Sequence, residues 1–193
     1  MVDNIFFDKK DLKYCGENVI IGKTVRIRHP EKVSIGDNVI IDDFTYISGN
    51  LVIGNYVHVA ASCSIQASES KVIIGDFAGL ASGVRVFAAS ADYINCSLDS
   101  ASIPQEMMYG GIFEEVTIND FVYIGANSVI LPGCKLPKGF AIGALCKLTK
   151  SLSLHLKPWH ILVNDITGES VRRMRVKEML VKAEKLTGIN YEL

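Results

Sequence analysis

Between Ser90 and Thr117 the chain carries Asp92, Tyr93, Asn95, Asp99, Ser100, Pro104 and the pair Gly110-Gly111. Two carboxylates, several hydroxyls and a phenol in one irregular stretch are groups that hydrogen-bond a polar substrate and exchange protons with it. They also suit a plain surface loop. No histidine lies between Val59 and Lys150, so proton transfer in this stretch falls to a carboxylate. A carboxylate of ordinary pKa, about 4, is a poor base toward a hydroxyl at neutral pH. Ser82 precedes the stretch at a turn, where serine is ordinary material and equally a hydrogen-bond donor. His58 ends a short repeat unit, which aims its ring outward. His29, His58, His155 and His160 are not spaced to converge on a metal.

The elements that position these groups are written in a period of six. From Ile118 the chain reads an aliphatic residue at Ile118, Ile124, Ile130, Leu136 and Ile142, with uncharged Val122, Ser128, Cys134, Phe140 and Cys146 four places after each. Six fits neither a helix nor a simple alternating strand. It fits a short strand and a tight corner, repeated, which is the hexapeptide signature of a parallel β-helix. The same pattern runs upstream through Ile21, Ile27, Ile35, Ile41, Ile47, Ile53, Val59, Ile65, Ile74, Leu80 and Val86, with slips before Ile35 and Ile74 that read as corner bulges. Gly22, Gly36, Gly54, Gly75, Gly125 and Gly143 follow the aliphatic residue, where a corner is expected to need permissive backbone. About eighteen residues make one triangular turn, giving roughly six turns. The repeat lapses from Ser90 to Thr117, and so long a gap in a solenoid reads as an excursion covering a site.

The 193 residues suit one domain: a cap over 1–20, an all-β helix over 21–153 interrupted by the loop 90–117, and a C-terminal segment over 154–193. An apolar stripe of Val176, Met179, Leu180, Ala183 and Leu186, stopped by Gly188, predicts a helix there. Arg172, Arg173, Arg175 and Lys177 crowd its start, which the helix dipole disfavours; they read as a solvated basic face or as partners for an anion. The net charge of −1 argues against a general nucleic-acid binder. Met1 to Asp11 is neither a signal peptide nor a membrane span, so a cytoplasmic protein is expected. Cys15, Cys63, Cys96, Cys134 and Cys146 form no CxxC pair, and Cys63, Cys134 and Cys146 fall on the inward small-residue position, where a thiol packs as a small hydrophobe.

The coils from Ile21 to Lys150, the interruption after Val86 and the Pro158-Trp159 approach to a C-terminal helix together resemble the left-handed β-helix (hexapeptide-repeat) acyltransferases. Asp42-Asp43-Phe44, the run from Ile53 to Ala61, the run from Ile74 to Phe87 and Asp92-Tyr93 are similar to the branch that acylates sugars for surface polysaccharides. Nucleotide-linked amino-sugar N-acyltransferases belong to that branch. The resemblance covers most of the chain. It implies an acyl-CoA co-substrate (acetyl-CoA first), no metal, and transfer to the amine of a nucleotide-linked sugar in O-antigen or other surface-polysaccharide biosynthesis. It further implies a cytoplasmic homotrimer with three sites, each built from two subunits in the grooves between neighbouring prisms, and no nucleic-acid or membrane partner. A sugar O-acetyltransferase of the same fold is the alternative. A structural β-helix would gain from bare ends and no loop, and a γ-type carbonic anhydrase needs three converging imidazoles.

Many members of the family place a histidine at the start of the long loop, where Ala91 stands here. The resemblance then assigns the shed amine proton to Asp92, with Ser82 and Asp99 as further catalytic candidates. Arg85, Tyr93 and His58 are the candidates to bind the acceptor. Ala126 and Ala144 match positions whose backbone binds the pantetheine arm, and Lys147 and Lys150 are placed to meet phosphates. Backbone amides near Ser82 and Gly83 are expected to hold the developing oxyanion. Val163-Asn164-Asp165-Ile166-Thr167 replaces the usual Gly-Asn-Pro-Ala that follows the tryptophan.

Overall fold

The computed structural model describes residues 4–92, 100, 102–107, 110–164, 169–173 and 176–193. The period of six becomes a parallel β-solenoid. On one face lie Ile20–Ile21, Ile40–Ile41, His58–Val59, Gly79–Leu80, Tyr123–Ile124 and Ala141–Ile142, each stacked in register on the next. On the second face Tyr46 pairs with Ser64, Ser64 with Arg85, Arg85 with Val129, and Val129 with Lys147. On the third, Ser34 pairs with Val52, Val52 with Ile73, Ile73 with Thr117, and Thr117 with Lys135. The second and third faces merge into one sheet because Tyr46–Ile53 and Ser64–Ile74 continue around their corner. The aliphatic residue of every unit is buried, as are Cys63, Cys134, Cys146 and Ser128.

The corners turn differently from the expectation. The left-handed backbone falls on the third residue after the aliphatic one: Asn38, Phe44, Tyr56, Ser62, Phe77, Phe121, Asn127 and Leu145 all have φ between 56° and 63°. Gly22, Gly36, Gly54, Gly75 and Gly125 are outside that region. They are needed for close approach instead. A Cβ on Gly125 would lie 2.4 Å from the Ala144 nitrogen, and one on Gly75 would lie 2.7 Å from the Asp120 nitrogen, so coils meet backbone to backbone there. Of the two slips, the first is a 3-10 turn over Pro30–Lys32 and the second a register shift where Ser64–Ile74 passes Gly49.

Strand pairing runs further than the repeat. Tyr14–Cys15 already pairs with Ser34–Ile35, and Ile161–Leu162 continues the first face above Ala141–Ile142. His160–Asn164 then turns back as a hairpin with Glu169–Arg172, which the sequence pattern did not announce. The excursion leaves the solenoid as an antiparallel pair, Ala89–Ala91 with Gly111–Phe113, and Val116 is back in register opposite Val72. The expected interruption 90–117 therefore closes earlier than Thr117.

The helix Val176–Thr187 ends at Gly188, with φ +71°. Val176, Leu180 and Ala183 are buried and Met179 packs against them, but Leu186 is 63% exposed and is no part of the stripe. The helix covers an aromatic ladder at one corner. Tyr56 stacks on Phe77 at 4.9 Å and Phe77 on Phe121 at 5.0 Å, with Tyr191 edge-on to both Phe77 and Phe121. Arg173 precedes the helix and is not on a solvated face: its Nη1 donates to the carbonyls of Phe121 (3.0 Å) and Gly139 (2.8 Å). Burial pulls its pKa below the usual arginine value. Phe121→Ala should cost about 3–5 kcal/mol in urea unfolding, the range for truncating a buried aromatic. Leu186→Ala should change stability by less than ~0.5 kcal/mol.

Candidate active site

Two corners flank the first face, and they satisfy their backbone in opposite ways. At the aromatic corner a ladder of side chains caps one N–H per coil. Asp37 accepts from the Glu17 amide (2.7 Å), Asn55 from Asp37 (2.8 Å), Asp76 from Asn55 (2.7 Å) and Asp120 from Asp76 (2.9 Å). At the other corner Asp43 still takes the Thr24 amide at 2.7 Å, but the equivalent residues that follow are Ala61, Ser82, Ala126 and Ala144, which stack one per coil at a spacing of about 4.8 Å. Gly83 donates to the Ala61 carbonyl (3.1 Å), Asn127 to Ser82 (3.0 Å) and Leu145 to Ala126 (2.9 Å). Inside the corner the Cys63 thiol and the Ser128 hydroxyl hold the carbonyls of Ala81 and Gly143 at 3.3 and 2.8 Å. What remains is the N–H of Ala61, Ser82, Ala126 and Ala144, which find no acceptor among the described residues. A column of such amides is a hydrogen-bonding edge for an extended ligand.

Between the two corners the first face is hollowed into a groove of about 660 Å³, lined by Tyr56, His58, Gly79, Ser82, Tyr123 and Ala141 among others. His58 is half-exposed in it, and its Nε2 lies 2.8 Å from an Asp42 carboxylate oxygen. The structure thus brings Ser82, Ala126 and Ala144 into one column, with His58 in the adjoining groove. It places Arg85 on the neighbouring face, opposite Ser64 and Val129. Asp92 follows the strand Ala89–Ala91, past the outer end of its pairing with Gly111–Phe113 and beyond Arg85–Phe87 from Ser82. Tyr93 and Asp99 lie outside the described residues. Lys147 is exposed on the second face, and Lys150 is paired with Glu114 at 2.7 Å.

The expected pair of oxyanion amides narrows to one. The Gly83 N–H is spent on the Ala61 carbonyl, so it is not available to an oxyanion, and the Ser82 N–H is the amide that remains at that corner. The capping contrast was missed in the sequence. Its signal is the residue after the glycine: Gly36-Asp37, Gly54-Asn55 and Gly75-Asp76 carry a cap, whereas Gly125-Ala126 and Gly143-Ala144 do not. Among the described residues no three His, Cys, Asp or Glu side chains converge as a metal cage.

The solenoid is built on a hexapeptide repeat, and residues 32–67 match the bacterial transferase hexapeptide (six repeats) family. The dTDP-4-amino-4,6-dideoxy-D-glucose acyltransferase of Escherichia coli is 35% identical over 148 residues, 75% of this chain and 76% of that protein. This chain belongs to its family, the hexapeptide-repeat acyltransferases of nucleotide-linked amino sugars. The N-acyltransferase AntD of Bacillus cereus, solved as a variant with dTDP and coenzyme A, superimposes with a TM-score of 0.83 at 31% identity, covering 96% of this chain and 100% of AntD. AntD with dTDP and 3-hydroxybutyryl-CoA gives a TM-score of 0.82 at 30% identity, covering 97% and 100%. AntD has been solved with substitutions at one serine and at one aspartate, ten positions apart.

Ala126→Leu places a branched side chain beside the uncapped amides without touching the buried column. Its Kd for coenzyme A by calorimetry should rise by about tenfold or more, with the melting temperature of the free protein changed little. Unchanged affinity would remove the column from the donor site.

Proposed function

We propose that this chain transfers a short acyl group from acyl-CoA to the amine of a nucleotide-linked amino sugar. The uncapped corner carries the reading: four amides stacked along the prism suit the extended, amide-bearing pantetheine arm, and Ser82 stands in mid-column. Ser82 and Asp92 also share the residue types and ten-residue separation of the serine and aspartate substituted in AntD. The amine nitrogen attacks the thioester carbonyl and forms a C–N bond. The Ser82 amide or hydroxyl holds the oxyanion, and Asp92 takes the proton that the attacking nitrogen sheds. Collapse breaks the C–S bond, and that proton leaves with the sulfur, giving an amide and free coenzyme A. Asp99, Tyr93, His58 and Arg85 are the remaining acceptor-side candidates, with Lys147 and Lys150 toward the donor's phosphates. Donor phosphate then displaces Glu114 from Lys150.

Ser82 precedes the strand Arg85–Phe87 at the uncapped corner, and Asp92 follows it on the excursion, beyond Ala89–Ala91. A site that uses both is completed by a second copy, which supports a homotrimer with three shared grooves. We place the reaction in cytoplasmic surface-polysaccharide biosynthesis; among the described residues no helix is long and apolar enough to cross a membrane.

One observation favours an O-acyltransferase instead. The His58–Asp42 pair supplies an oriented imidazole in the groove that holds Ser82. The readings separate by mass spectrometry of products from dTDP-4-amino-4,6-dideoxyglucose and its 4-hydroxyl counterpart, with acetyl-CoA or 3-hydroxybutyryl-CoA. The amine should be acylated, with Asp92→Asn lowering turnover by about 10²–10⁴ and His58→Asn costing far less. Preferred acylation of the hydroxyl sugar, abolished by His58→Asn, would establish the alternative.

A further inference from the structure

The outward column of the first face reads Ile20, Ile40, His58, Gly79, Tyr123, Ala141 and Ile161. Its middle is built rather than merely exposed. Gly79 sits between His58 and Tyr123, and a Cβ there would lie 2.7 Å from Tyr123 Cδ1 and 3.0 Å from its Cε1. The absence of a side chain at Gly79 is therefore what lets the Tyr123 ring lie down over the backbone of the coil below. From the other side the Arg173 guanidinium covers the ring, with its Cζ 5.1 Å from the centroid. Arg173 is itself fixed by the carbonyls of Phe121 and Gly139 at 3.0 and 2.8 Å. A tyrosine held between a glycine and a clamped cation has little rotamer freedom left to lose when it binds. Yet Tyr123 is 44% exposed and its hydroxyl has no hydrogen-bond partner among the described residues. It opens into the groove that also holds Ser82 and His58, and Ser82 lies in the same coil as Gly79.

Resting on the function proposed above, we infer that Tyr123 is an acceptor-binding residue whose phenol hydrogen-bonds a hydroxyl of the amino-sugar ring, and that Arg173 and Gly79 are its positioning residues. The amine must reach a thioester held at Ser82, so the ring that bears it lies over this part of the groove. The nucleotide, joined through the diphosphate, lies further away. The phenol thus reads the sugar and not the nucleotide. Gly79→Ala would lift the ring out of place, and Arg173→Lys would remove the planar group that covers it.

The test is calorimetric binding of dTDP-4-amino-4,6-dideoxyglucose and, separately, of dTDP, to wild type and Tyr123→Phe, beside product formation by wild type. Tyr123→Phe keeps the ring and its packing and removes one hydroxyl. Its Kd for the amino sugar should rise about 3- to 10-fold, with its Kd for dTDP within twofold of wild type. Arg173→Lys should weaken amino-sugar binding in the wild-type background and add no more than about twofold in the Tyr123→Phe background, a non-additivity that a purely structural role would not produce. If wild type makes product and Tyr123→Phe binds the amino sugar within twofold of normal, this inference alone falls. An equal loss for dTDP would move the contact to the nucleotide and overturn it as stated. A wild type that binds no amino sugar defeats both this inference and the function beneath it.

Discussion

Everything in this molecule hangs on backbone hydrogen bonds between successive coils about 4.8 Å apart. That spacing excludes a side chain where two coils approach most closely, as at Gly125, whose Cβ would lie 2.4 Å from the next coil's backbone nitrogen, while Asp42, Ala60 and Ala81 occupy the same place in other coils. It also converts each position of the six-residue unit into a column running the length of the prism. One column becomes the Asp37–Asn55–Asp76–Asp120 ladder, and the next becomes the stacked rings of Tyr56, Phe77 and Phe121. The column at the opposite corner is small and uncapped from Ala61 onward, past the Asp43 that takes the Thr24 amide. The same constraint therefore builds a self-satisfied corner, sealed under the C-terminal helix, and an unsatisfied one.

The two corners differ in what they ask of a ligand. Where Asp and Asn side chains take the spare amide, nothing is left to recognise. Where Ala61, Ser82, Ala126 and Ala144 stand, each coil offers one donor at a fixed interval, matched to a ligand with carbonyl groups along an extended chain. The thiol and hydroxyl of Cys63 and Ser128 hold the carbonyls of this corner from inside, so its geometry is set by the core. Burial pushes the Cys63 thiol up, and that of Cys134 to about 11, in keeping with packing roles.

The parts legible in the sequence are those that repeat. Sixfold spacing locates the buried aliphatic column from Ile21 to Leu148, and through it the common register of Ser82, Ala126 and Ala144. What it misses are contacts between the solenoid and parts that do not repeat. Arg173 reads as one of several basic residues before a helix, and only the fold shows it inserted over Tyr123. Leu186 satisfies helical spacing but lies past the point where the helix still touches the ladder. The glycine pattern was visible and its cause misjudged, since spacing alone does not tell a left-handed residue from a close contact. The antiparallel pairing of His160–Asn164 with Glu169–Arg172 likewise has no counterpart in the six-residue pattern.

The most direct test of the shared site is complementation between two inactive chains. Ser82→Ala and Asp92→Asn would be prepared separately, mixed under reversible denaturation, refolded together and assayed, with mixed oligomers verified by mass spectrometry. If Ser82 of one copy works with Asp92 of its neighbour, about a quarter of the sites in a statistical trimer regain both residues, and activity returns to that order. If verified mixed oligomers stay as inactive as either parent, both residues act within one chain or not at all, and the shared groove is wrong.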